Sequence, residues 1–354
     1  MSSGCPPTGC HETITTEPPM KTMLNRVALL FTLLAVQVVG AQPAVALEQE
    51  HVDLEELDTE PVEKTGWIPR LTLGAGVAFG HSSDVVGQLD GSSFTLTLSI
   101  VGEMDFYDKV HEWRNTLSIS EGMTKTPAIE EFLKSSDKVE LDSIYLYHIP
   151  AVTWLGPFAR FNLQTALLEG FDVRAKESDY RGAVTVDGAN SLQLTDSFKP
   201  LRLKESLGLF AQPIREEPYT LEIRVGGGAR QVFADGQLVI KDDDATDEIE
   251  VGVLEDVSQI GAELAASLTG SLEGNRVSYG LVAEAMVPFV DSSKAADTKG
   301  AFERTNIEFG ARASFKLVEW ASLDYELKAL REPSVIDEWQ VTNSLLLTFG
   351  AVFE

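Results

Sequence analysis

Phe94-Thr-Leu-Thr-Leu-Ser-Ile-Val-Gly-Glu-Met-Asp-Phe106 decides the fold. Phe94, Leu96, Leu98, Ile100, Met104 and Phe106 alternate with Thr95, Thr97, Ser99, Glu103 and Asp105. A period of two is the strand signature, with apolar side chains on one face and polar ones on the other. The same pattern returns in Tyr219, Leu221, Ile223 and Val225, and in Ile307, Phe309, Ala311, Ala313, Phe315 and Leu317. Val341, Leu345, Leu347, Phe349, Ala351 and Phe353 share one face near the end of the chain. No stretch of period 3.6 is long enough to predict a helix.

Read outward from that stretch, the sequence predicts twelve strands, at 67–80, 92–107, 110–124, 138–149, 153–171, 201–212, 218–233, 257–272, 276–288, 302–316, 320–330 and 338–353. They run 11–19 residues, against ~5–6 in ordinary sheets. Short connections at 108–109, 150–152, 213–217, 273–275 and 317–319 alternate with mostly longer ones at 81–91, 125–137, 172–200, 234–256, 289–301 and 331–337. An even number of long strands, with short turns at one end and long loops at the other, predicts an all-β fold: a transmembrane antiparallel β-barrel of about twelve strands. Closure leaves no unpaired strand edge in lipid. Ten or fourteen strands stay open. Ala183–Val186 and Ser191–Leu194 flank Asp187-Gly188-Ala189-Asn190 as a hairpin, and Gln237–Ile240 can pair with Ile249–Leu254. Both pairs are too short to span and are expected above the membrane. A water-soluble sandwich or barrel explains alternation equally well but accounts less well for the loop asymmetry.

The chain has 354 residues, 44% of them apolar and 23% charged, with a net charge of −27. Such acidity argues against nucleic acid, whose phosphates need Lys and Arg. Lys21 and Arg26 precede the apolar run at 27–36, and Ala44-Val45-Ala46 follows. A basic start, an apolar stretch and an A-x-A end predict a secretory signal peptide over 1–46. Residues 1–19 do not suit its start, so translation from Met20 or Met23 is expected. Both cysteines, Cys5 and Cys10, would leave with it. Residues 47–66 are an acidic periplasmic leader in which Glu48, Glu50, Asp53, Glu55, Glu56, Asp58, Glu60 and Glu63 face only Lys64, and a solvated tail is expected. Residues 67–354 then form the barrel.

If the apolar faces meet lipid, the other faces line a lumen. The candidate lining comprises Glu103, Asp105, Arg114, Arg160, Glu222, Arg224, Arg230, Glu308, Arg312, Asp324 and Lys328. Charges of mixed sign suit either a hydrated pore or a plug of salt bridges, and the acidic excess leans toward cations or neutral solutes. Trp67, Trp113, Trp154, Trp320 and Trp339 are expected in interfacial girdles, with Trp339 alone near a long loop. Asp242, Asp243 and Asp244 could hold a hard cation but read better as a solvated run, so no metal or other cofactor is expected. The mature chain has only His51, His81, His111 and His148, and His81-Ser82-Ser83 has no orienting partner for a hydrolase site. Gly226-Gly227-Gly228 precedes no helix and reads as an aid to strand curvature.

The signal peptide, Cys-free mature chain, twelve alternating strands and aromatic-containing last strand together resemble Gram-negative outer-membrane β-barrel proteins over 67–353. Trp113-Arg-Asn115, Lys134-Ser-Ser-Asp137, Gly156-Pro-Phe158 and Gly170-Phe-Asp172 also resemble uncharacterised barrel families that share Trp-x-Asn and Lys-x-x-Asp. The resemblance implies outer-membrane location, contact with lipid and lipopolysaccharide, and insertion by the outer-membrane assembly machinery. Such barrels usually end on an aromatic residue, whereas Phe353 here is followed by Glu354. The functional expectation is passive passage of small polar solutes, not an enzyme. The alternative is a closed lumen, structural or surface-interacting, with binding by the long loops; a barrel hydrolase is the third.

Overall fold

The structure is a computed structural model that describes residues 65–82, 91–127, 129–216, 218–241, 246–272, 276–293, 296, 298–334 and 336–353. The expected signal peptide, the leader up to Lys64 and Asp242–Asp244 lie outside the described residues.

Sixteen strands follow in chain order. They are β1 (Gly66–Ser82), β2 (Gly91–Tyr107), β3 (His111–Thr126), β4 (Ile129–Tyr147), β5 (Leu155–Thr165), β6 (Gly170–Gly182), β7 (Val186–Thr195) and β8 (Leu201–Glu216). Then come β9 (Tyr219–Phe233), β10 (Leu238–Ile240), β11 (Ile249–Val253), β12 (Val257–Leu272), β13 (Val277–Asp291), β14 (Asn306–Val318), β15 (Ala321–Glu332) and β16 (Ile336–Phe353). Twelve of them close into an antiparallel barrel in the order β1-β16-β15-β14-β13-β12-β9-β8-β5-β4-β3-β2. The seam pairs Leu71 with Phe353 and Val77 with Leu347.

Exposure settles which face is which. Leu96, Leu98, Ile100 and Met104 of β2 are exposed, as are Leu207 and Leu209 of β8, Val225 of β9, Leu264 of β12 and Leu345 of β16. Their neighbours Thr97, Ser99, Ser206, Arg224 and Glu263 point into the barrel. A continuous belt of exposed Leu, Ile, Val and Phe around a charged interior is stable only where the outside solvent is hydrocarbon. The chain is therefore a transmembrane barrel of the outer-membrane kind, and the soluble reading is excluded.

Aromatic rings mark both rims. At the short-turn end Trp67 packs 5.3 Å from Phe106 and 5.6 Å from Trp113. Trp320 stacks on Phe349 at 6.0 Å, and Trp154 is exposed in the turn before β5. At the long-loop end Phe94 meets Phe132 edge-on, and Trp339 is exposed on β16.

Several expected boundaries differ: the strand expected from 302 starts at Asn306, the one expected to end at 212 runs to Glu216, and the loop expected at 331–337 shrinks to 333–335; three further differences have a visible cause or consequence. The strand expected at 153–171 stops at Thr165, and Gly170 opens β6. The reason is Asp137, on the outer face of β4. Its carboxylate accepts the amides of Leu167 (2.6 Å) and Leu168 (2.9 Å) and the Lys134 ammonium (2.7 Å). That set of bonds turns the chain away from the barrel wall and gives Lys-x-x-Asp a structural role. Asp137→Ala should expose Leu167 and Leu168 to amide exchange at a cost of about 1–3 kcal/mol, with the barrel still folded. Next, most of 125–137 is strand rather than loop, because β4 starts at Ile129. Finally, β6 and β7 meet in a hairpin turning at 183–185, so Asp187–Asn190 lie within β7 rather than at its turn.

β6, β7, β10 and β11 form a separate four-stranded sheet on the long-loop side. β10 pairs with β11 as expected, and β11 runs parallel to β6. Tyr180, Ile249 and Val251 make its core, flanked by Val186, Leu192 and Leu238. Burial pushes the Tyr180 hydroxyl up to about 12, helped by the hydrogen bond it donates to the Asp172 carboxylate (2.9 Å). A raised pKa favours the neutral phenol. The contribution is complete below the unfolded value of about 10 and disappears as pH rises through the folded one. Tyr180→Phe should therefore remove an alkaline loosening of this sheet, read by amide exchange of β11.

Candidate functional site in the lumen

Alternation sends every second side chain of a closed barrel inward. All eleven charged residues expected in the lumen occupy inward positions. Buried charges must be paired or wet, and here most pair across the barrel rather than along one strand. Arg114 of β3 donates to Glu222 of β9 (3.0 Å). Arg160 of β5 bonds Asp142 (2.8 Å) and reaches Glu284 of β13 (3.2 Å). Lys204 of β8 bonds Glu308 of β14 (2.8 Å), which also faces Lys328 (3.3 Å). Arg230 of β9 bonds Glu284 and faces Glu332 of β15 (3.5 Å). These pairs are chords. They close the part of the lumen bounded by β3 to β15 through β4, β5, β8, β9 and β12–β14.

Inward acids and bases nearly match in this network, so the chain's −27 is carried elsewhere.

An apolar cluster completes the filling near the short-turn end. Ile144, Leu146, Phe158 and Phe210 are buried together inside the barrel. His148 packs edge-on against Phe210 at 5.0 Å. Its ring nitrogens face the Thr153 carbonyl (2.6 Å) and the Glu112 carboxylate (2.8 Å). Sequence reasoning missed this cluster by assigning apolar residues to lipid. The signal was parity, because Ile144 and Leu146 share the face of Glu140 and Asp142.

Along β1, β2, β3 and β16 the inward wall is different. Thr72, Thr95, Thr97, Ser99, Ser120 and Thr348 are small, hydroxylic and partly solvent-exposed. Gly74 and Gly76 face inward between them, and a Cβ on Gly74 would meet the Ser99 hydroxyl at 2.4 Å. Charge on this side is sparse. Arg70 pairs with Glu103 (3.0 Å). Asp105 accepts the Asn115 amide (3.0 Å), and Asp324 is held by the hydroxyls of Ser314 and Ser322. Arg312 has no ion-pair partner among the described residues, and Gly310 and Gly280 beside it leave its side chain room.

Trp-x-Asn also acquires a role. Trp113 Nε1 donates to Ser143 Oγ (2.9 Å), which donates to Asn115 Oδ1 (2.8 Å), while Asn115 Nδ2 donates to the Met104 carbonyl (2.8 Å). The motif ties β2, β3 and β4 together at the girdle. His111 contacts the Tyr145 hydroxyl on the outer face (2.5 Å), in the same belt. Among the described residues no group of His, Cys, Asp and Glu has metal-binding geometry.

A protein-family model described as "Protein of unknown function (DUF3078)" matches residues 88–171, which span β2 to the start of β6. Comparison with curated proteins gave no match. Among solved structures, the chain is similar to the translocator domain of the autotransporter NalP from Neisseria meningitidis. That match has 9% identity and a TM-score of 0.36, and covers 95% of this chain and 98% of the other. An outer-membrane channel from Pseudomonas putida F1 matches at 10% identity and TM-score 0.35, covering 84% and 98%. The NanC porin matches at 8% identity and TM-score 0.33, covering 79% and 98%.

Proposed function

We propose that the protein is a passive outer-membrane channel for small polar solutes, whose passage follows the β16-β1-β2-β3 wall. The observation that carries this reading is the asymmetry of the lumen. Chord ion pairs and an apolar cluster fill one side, while small, partly exposed hydroxylic residues line the other. Hydroxyls replace part of a solute's hydration without binding it tightly, which passage requires. With inward charges nearly balanced, selectivity between small cations and anions is weak. Export by the signal peptide, insertion by the assembly machinery and a rim against lipopolysaccharide belong to the same reading.

Single cysteines in the Cys-free mature chain test it in planar bilayers. A water-soluble thiol reagent should lower conductance at Thr97→Cys and Ser99→Cys and leave Ser206→Cys and Ser267→Cys unchanged. A folded barrel with no conductance would refute the channel. It would favour a closed barrel that presents the β6-β7-β10-β11 sheet as a surface for binding, a reading supported by that sheet's own core.

A further inference from the structure

The seam of the barrel closes over only part of its height. β1 and β16 pair from Leu71 opposite Phe353 to Val77 opposite Leu347. Above that point both strands continue, but each follows its other neighbour. β1 stays paired with β2 from Ala78 opposite Thr95 to Ser82 opposite Gly91. β16 stays paired with β15 from Leu346 opposite Asp324 to Thr342 opposite Lys328. Among these described residues no pair joins 78–82 to 342–346. At ~3.4 Å per residue the open edge is about 17 Å long. Phe79 lies opposite Phe94, which meets Phe132 in the upper aromatic rim. The gap therefore runs from the middle of the apolar belt to that rim, at the depth of the outer leaflet.

The two sides of the gap differ in chemistry. On the outside stand Phe79 and Leu345, 72% and 60% exposed. On the inside stand the hydroxyls of Thr95, Thr97 and Thr348. The lower lip is Gly76, opposite Thr97 on one side and Thr348 on the other. A Cβ on Gly76 would lie 3.7 Å from Thr97 and 3.9 Å from Leu346, so the lip is narrow but carries no side chain of its own. Backbone amides and carbonyls that face the gap lack a cross-strand partner, and hydrocarbon supplies none. A molecule with a polar head and an apolar tail satisfies both sides at once. Its head bonds the unpaired backbone groups and the threonine hydroxyls, and its tail passes between Phe79 and Leu345 into lipid. The narrow lip fits one hydrocarbon chain rather than two.

We infer that the upper half of the β1–β16 seam is a lateral portal through which single-chain amphiphiles pass between the lumen and the outer leaflet. The inference rests on the hydroxylic wall being the open side of the lumen, as proposed above, and does not require conduction from mouth to mouth.

The test is photolabelling of the barrel in lipid vesicles by a single-chain phosphocholine amphiphile with a diazirine in its tail. A two-chain phosphatidylcholine carrying the same group is the reference. Mass spectrometry of the digested protein should place the single-chain label on inward Thr95, Thr97 and Leu346 as well as on outward residues. The two-chain label should fall on outward residues alone. Phe79→Cys/Leu345→Cys, oxidised to a disulfide in the otherwise cysteine-free mature chain, should cut the inward label about fivefold, and reduction should restore it. Ala75→Cys/Phe349→Cys ties the strands where they already pair and should leave the label unchanged. Heat-modifiable gel mobility checks that each variant folds. If the disulfide across the gap does not form, Gly76→Phe fills the lip and should lower the inward label by a similar factor. A barrel that labels inside but does not conduct would refute the channel and leave the portal standing. Absence of inward label on the parent, or inward label that ignores closure of the gap, would overturn the inference.

Discussion

Replacing Arg230 with alanine is expected to destabilise the barrel by about 3–5 kcal/mol, the usual cost of leaving a buried charge without its partner. Arg230 is buried and joins Glu284 of β13 and Glu332 of β15 from β9. Its loss leaves Glu284 with Arg160 at 3.2 Å and the more distant Lys204, and leaves Glu332 facing Arg202 at 3.6 Å. Urea titration followed by heat-modifiable mobility reads the effect. Arg230→Met should cost less when combined with Glu284→Gln, because the pair then leaves together. The wall should respond differently from the plug, with Thr97→Ala changing stability by under about 0.5 kcal/mol.

The second large effect falls on Gly208 and Gly226, which face each other across β8 and β9. A Cβ on Gly208 would lie 2.2 Å from the Val225 carbonyl oxygen, and one on Gly226 would lie 2.2 Å from that of Leu207. Both obstacles are backbone, which no rotamer change can relieve. Gly156 repeats the arrangement on β5, with the Tyr147 carbonyl at 1.7 Å and Phe210 at 3.0 Å from the added carbon. These glycines let neighbouring strands bend sharply around the buried Phe210. Gly208→Val should prevent closure of the barrel, read as loss of the heat-modifiable form and degradation of the chain during export. Gly102→Ala is the control, since a Cβ there meets nothing within 4 Å; it should fold normally.

The fold was legible because lipid outside and charge inside impose one parity on every strand. β2 shows this most cleanly, with Leu96, Leu98 and Ile100 against Thr97 and Ser99. Turn lengths carried the strand count, which sequence alone left open between ten and fourteen. Boundaries at the long-loop end were less legible. β4 begins at Ile129, which pairs with Thr126 across a tight turn, but Glu130-Glu131 interrupts the period of two there and hides the strand in the sequence. The stop at Thr165 depends on Asp137, whose partners Leu167 and Leu168 lie about thirty residues away in sequence.

The lumen was legible in its residue types but not in its pairings. Arg160 and Glu284 are 124 residues apart, and no local spacing announces that they touch. Sorting charges by strand gave the inward set, but only closure of the barrel turns it into chords on one side and a hydroxylic wall on the other. The Ile144, Leu146, Phe158 and Phe210 cluster shows the limit of the rule that apolar means lipid-facing. A lumen partly sealed from water stabilises apolar side chains as a soluble core does.

The face assignment underlies every one of these statements, and one pair of adjacent residues tests it. Leu98→Cys and Ser99→Cys, each carrying the same fluorophore in the barrel reconstituted into bilayers, should report opposite environments. Quenching by a lipid-borne nitroxide at 98 and by aqueous iodide at 99 is the predicted result. Iodide quenching at 98 with lipid quenching at 99, or equal aqueous quenching at both, would contradict a barrel whose apolar faces meet lipid.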